Sequence, residues 1–190
     1  MRGNNIYIAN DLTTNEKNIK KLFLNIKKEY LKSNKKELVI VNIGTDKNIG
    51  DSLAPIVGRL SQNKLKAIKM YGTTQNPIHA LNLSKKYKEI KSKHKDAFII
   101  GVDASVSSTY DKGTILLRNL PVRPGKGIGK NLEEVGDISI VGIVEKDGLS
   151  ILGNGIRLSN VWDMAESISK AVIKLDKSLY RINSKGEDNS

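Results

Sequence analysis

The sequence predicts an α/β fold, a three-layer sandwich with a mostly parallel sheet, and three observations predict it. Short apolar runs rich in β-branched residues recur along the chain. Segments with apolar residues at helical spacing separate them. Several of the runs are apolar at nearly every position, the pattern of strands buried on both faces.

Residues 15–33 place Ile19, Leu22, Phe23, Ile26 and Tyr30 on one helical stripe with lysines between, so an amphipathic helix with one buried face is expected. "ELVIVNI" at 37–43 is too short for a helix and reads as the first buried strand. A helix is expected from Asp51 to Gln62, then a strand in "AIKMYG" at 67–72. Pro77 suits a helical first turn, which predicts a helix from there to about Lys93, with the lysines and His94 of "SKKYKEIKSKHK" on a solvated face. "AFIIGVDA" at 97–104, "TILLRNL" at 114–120 and "DISIVGIVE" at 137–145 complete five strands. Val161, Met164, Ala165, Ile168, Val172, Leu175 and Leu179 mark a closing helix, against which Trp162 is expected to pack. Residues 1–182 are thus expected to form a single domain, and 183–190 a polar, disordered tail.

In parallel sheets ligands bind beyond the carboxyl ends of the strands, which directs attention to the loops after residues 43, 72, 104 and 120. Asp103 follows "FIIGV" directly, and Asp51 stands where the first strand gives way to a helix. If their strands are neighbours, the carboxylates can meet. Two unit charges about 4 Å apart at an effective dielectric near 20 repel by about 4 kcal/mol, or about 3 pKa units. Such a pair holds one proton between them, as hydrolysis by acid–base catalysis requires. The competing reading makes Asp51 a helix cap. A phosphate loop is disfavoured, because Gly50 is followed by Asp51 where that motif needs lysine, and a carboxylate there would repel phosphate.

Charge and composition narrow the classes further. The net charge of +12 and pI near 9.7 would suit an acidic partner, but only six of the 32 basic residues are arginine (2, 59, 118, 123, 157 and 181). Lysine is the poorer residue for bidentate recognition, so nucleic acid is open as a partner but not favoured. The chain has no cysteine, no apolar run approaching the roughly 20 residues of a membrane span, and no signal-peptide pattern, so a cytoplasmic protein without membrane contact is expected. An edge strand or the stripe of residues 19–30 leaves a homo-oligomer open.

Four blocks, "IGTDKNIGDSLAPIVGRL", "KMYGTTQNPIHALNL", "FIIGVDASVSS" and "LPVRPGKGIGKNLEEVGDISIVGIV", resemble the sporulation protein family named YyaC, a family similar to the germination protease of spore-forming bacteria. The resemblance covers residues 37–175. It implies the phosphorylase/hydrolase-like fold of the hydrogenase maturation proteases and an aspartic-type endopeptidase. The germination protease pattern T-P-D-A-L-G-P matches "IGDSLAP", which makes Asp51 one catalytic acid, and V-I-D-A-L-A matches "GVDASV", which makes Asp103 the other. Its P-G-S-G-V-G-N loop matches "PGKGIGK", so Gly125, Gly127 and Gly129 are expected to border the cleft, with Asp46 and His79 as further substrate-binding candidates. The chain departs from these patterns at Ile49-Gly50, in place of Thr-Pro, and at Ser105-Val106, in place of Leu-Ala. Maturation proteases that bind nickel carry a histidine after the second acid. Both histidines here, His79 and His94, precede Asp103, so neither a metal nor another cofactor is expected.

The resemblance therefore implies a peptidase of the sporulating cell or spore acting on a protein or peptide, with small acid-soluble spore proteins as candidate substrates. The alternative is a non-catalytic relative that binds a peptide, a DNA-coating protein or DNA during sporulation.

Overall fold

The computed structural model describes residues 5–9, 15–124, 132–146 and 155–187, with backbone alone for 5–9 and 185–187. Its elements are β1 (Asn5–Ala9), α1 (Glu16–Lys32), β2 (Glu37–Asn42), α2 (Leu53–Ser61), β3 (Lys69–Tyr71), α3 (Leu83–Lys93), β4 (Ala97–Ser107), β5 (Ile115–Arg118), β6 (Ile138–Lys146) and α4 (Leu158–Glu187). The strands form one six-stranded sheet in the order β1-β5-β6-β4-β2-β3. The run β6-β4-β2-β3 is parallel, and β5 and β1 close that edge in antiparallel fashion.

The expected sandwich is present, and β2 shows why the sequence reveals it. Leu38 and Ile40 point into a core built with Ile19, Leu22 and Ile26 of α1, Leu53 and Val57 of α2, and the apolar face of α4. Val39 and Val41 point the other way, toward Leu83, Tyr87 and Ile90 of α3. Each face of the strand is covered, so the four positions from Leu38 to Val41 are all apolar.

Long-range contacts fix the sheet's edge. Asp176 of α4, only 1% exposed, accepts backbone N–H bonds from Lys66 (3.0 Å), Ala67 (2.8 Å) and Ile68 (2.8 Å). One buried carboxylate thereby anchors the chain entering β3.

Several expectations are corrected. β1 is a sixth strand that the sequence reading lacks; it is short, and its partner β5 lies far away in sequence. The segment after Pro77 is not helical, and α3 begins only at Leu83. Ile78 is instead held in a parallel bridge with Ile43, while the Asn82 side chain donates to the Pro77 carbonyl and accepts from the His79 amide. His94 is buried rather than solvated: the end of α3 carries it over the sheet, where Nε2 meets the Tyr71 hydroxyl at 2.6 Å and Nδ1 meets Glu37 at 2.7 Å. Trp162 is 46% exposed, because the buried face of α4 runs through Val161, Met164 and Ala165 on either side of it. The predicted tail is helical as far as Glu187.

Candidate active site

Both acids lie at the carboxyl end of the parallel strands. β2 and β4 are direct neighbours, with Asn42 opposite Val102, so Asp103 stands one residue beyond the last rung of the β2–β4 ladder. The Ile43 amide bonds the Val102 carbonyl at 2.8 Å and carries the β2 chain past the same point. Asp51 returns there through the loop after β2, as the last residue of a 3-10 turn over Ile49–Asp51.

Glycine makes that return tight. Gly44 adopts φ +141°, and a Cβ there would lie 2.1 Å from the Asp51 carbonyl oxygen and 3.2 Å from its carboxylate Oδ1. The Thr45 amide bonds the same carbonyl at 3.1 Å. On the other side, Leu53 of α2 fills the space that a side chain at Gly142 of β6 would need, its Cδ2 being 2.2 Å from that Cβ position. Absent side chains at two glycines thus let the Asp51 turn and the start of α2 settle onto the sheet.

Asp51 is not spent on capping. The N-cap of α2 is Ser52, whose hydroxyl turns back to the Ile49 carbonyl at 2.8 Å. Burial raises the Asp51 carboxyl above its usual range, while the Thr45 amide and the nearby His79 ring favour its anion. Asp103 is pushed much further, to about 8. Burial is the main cause; the charge of Asp51 adds to it, and the Ala104 amide, donating to Oδ1 at 2.9 Å, opposes it. Asp103 retains some exposed surface, so water reaches a carboxyl that densely packed protein otherwise surrounds. At neutral pH Asp103 therefore holds a proton beside a more acidic Asp51. Desolvation, rather than the repulsion between the acids expected from the sequence, comes first among the causes.

Among the other candidates, His79 belongs with the acids, since its ring acts electrostatically on Asp51. Its Nδ1 accepts from the Leu81 amide at 3.3 Å. Asp46 is exposed in the loop between β2 and Asp51. Gly125, Gly127 and Gly129 lie outside the described residues. Among the described residues, no three His, Asp or Glu side chains gather as a metal cage. None of the described helices is long and apolar enough to cross a membrane.

The six-stranded, mostly parallel sandwich places the chain among α/β proteins with the fold of the hydrogenase maturation proteases. The fold is similar to the crystal structure of the NiFe hydrogenase maturation protease HycI from Thermococcus kodakarensis KOD1, with a TM-score of 0.54 over 80% of this chain and 98% of that one. Sequence identity to it is 14%, so that likeness concerns the fold. Within this class the chain belongs to the family described as "Protein of unknown function (DUF1256)", whose model matches residues 11–171. It is 39% identical over 150 residues to the Bacillus subtilis (strain 168) protein YyaC, across 77% of this chain and 73% of that protein.

Proposed function

We propose that the protein is an aspartic-type peptidase in which Asp51 and Asp103 activate water against a peptide bond, in a sporulating or germinating cell. One observation carries the reading: Asp103 and Asp51 stand at the carboxyl edge of adjacent parallel strands, where burial raises both carboxyls and Asp103 the further. Asp51, as the anion, takes a proton from water while the oxygen attacks the carbonyl carbon, and Asp103 gives its proton to the carbonyl oxygen. In the resulting gem-diol, Asp103 takes back the hydroxyl proton as the C–N bond breaks, and Asp51 passes the water's proton to the leaving nitrogen. Both acids return to their starting states.

The test is digestion of unfolded model proteins and of purified small acid-soluble spore proteins, read by mass spectrometry, with wild type, Asp51→Asn and Asp103→Asn. Cleavage by the wild type alone is expected, with kcat/KM falling above pH about 8 as Asp103 ionises and falling in acid as Asp51 protonates. Cleavage that survives either substitution, or an activity that keeps rising above pH 9, would refute the assignment.

A further inference from the structure

A groove of about 690 Å³ opens between β3 and the flank of α3. Met70, Tyr71, Ile78, His79, Ile90 and Lys93 line it. Three features define what fits there. β3 ends the sheet order, so among the described residues its outer edge has no strand partner. A bare edge grips an extended chain through main-chain hydrogen bonds, whatever the sequence of that chain.

The second feature is charge. Residues 61–93, which supply β3, α3 and the loop between them, contain eight lysines (64, 66, 69, 85, 86, 88, 91 and 93) against the single acid Glu89. Lys86 is paired with Glu89 at 3.4 Å, whereas Lys93 on the groove wall and Lys69 on β3 are exposed and make no ion pair with a described residue. The third is continuity: Ile78 on the groove wall bridges to Ile43 and accepts from the Gly44 amide at 2.7 Å, and Gly44 lies directly against Asp51, so the groove runs toward the Asp51 loop.

We propose that the groove takes an extended, acidic segment of polypeptide, added as a strand to the free edge of β3 with carboxylates at alternate positions facing the lysines. This names the substrate class of the peptidase proposed above; it rests on that reading for the fate of the segment, not for its binding. Side chains of an added strand alternate between faces, so acids two residues apart meet α3 while those between them face away. Nucleic acid fits the groove less well. No arginine lies within 61–93, and the one aromatic lining residue, Tyr71, has its hydroxyl committed to His94.

Fluorescence anisotropy on the Asp51→Asn protein tests this with four labelled probes. They are a short peptide with Glu at alternate positions, the same peptide with Lys for Glu, the acidic peptide N-methylated at alternate amides, and a single-stranded oligonucleotide of equal length. The acidic peptide is expected to bind at least about tenfold more tightly than each of the others, and Lys69→Glu with Lys93→Glu to remove about tenfold of that affinity. Hydrogen exchange on the β3 amides should slow when it binds. Equal binding of acidic and basic peptides, no effect of N-methylation, protection confined to other elements, or tighter binding of the oligonucleotide would each overturn the proposal. Selective binding without cleavage by the wild type would remove the peptidase and leave the groove. Cleavage whose KM ignores the two lysine reversals would do the opposite.

Discussion

Replacing Asp103 by asparagine should make the protein more stable at neutral and alkaline pH while abolishing peptide cleavage. A carboxyl raised in the folded state contributes stability that is fully present below its unfolded value of 3.8 and is lost as pH rises through its folded value of about 8. Between those limits the unfolded chain ionises and the native chain does not, so wild-type stability falls by about 1.4 kcal/mol per pH unit on account of this one group. Asparagine has nearly the same shape, can still accept from the Ala104 amide at Oδ1, and cannot ionise. By pH 7 the ideal difference approaches about 4 kcal/mol, and water at the partly exposed carboxyl trims it to about 2–3 kcal/mol. Urea unfolding of both proteins from pH 4 to pH 9 measures it. The two curves should nearly coincide at pH 4 and separate steadily up to pH 8. Curves that stay parallel, or an asparagine variant that loses ground as pH rises, would refute the assignment of a buried, protonated Asp103.

Gly44→Ala should cost about 2–4 kcal/mol in urea unfolding, since the new Cβ meets the Asp51 carbonyl at 2.1 Å in a backbone conformation that side chains avoid. Any peptidase activity should fall further than stability does, because the turn that aims Asp51 has to move. Asp176→Ala leaves the amides of Lys66, Ala67 and the buried Ile68 without their acceptor and should cost about 2–4 kcal/mol. Asp176→Asn, which keeps one acceptor oxygen, should cost clearly less by the same measurement. Increased hydrogen exchange at the start of β3 in the alanine variant would locate the damage.

The buried strands were legible because burial on both faces leaves nothing but apolar residues from Leu38 to Val41 of β2 and in the first half of β4, and the helices because one covered face imposes its spacing on α1 and α4. Elements that depend on distant partners were not legible. β1 exists by pairing with β5, and the stretch after Pro77 stays out of helix because Ile78 bridges to Ile43. Nothing local distinguishes His94 in its lysine run from a solvated residue; its partners Glu37 and Tyr71 come from two other strands. Asp176 looks like any polar residue of a helix until β3 lies against it. For the site, the sequence by itself determined that acids would stand near the ends of two apolar strands, since strand length and glycine placement are local properties. Only the tertiary structure decided that those strands are neighbours, that Gly44 lets Asp51 fold back over the strand end, and that burial more than repulsion keeps a proton on Asp103. Strand order and desolvation are set by what surrounds a residue once the chain has folded, and that information is spread over the whole chain rather than carried by any one stretch of it.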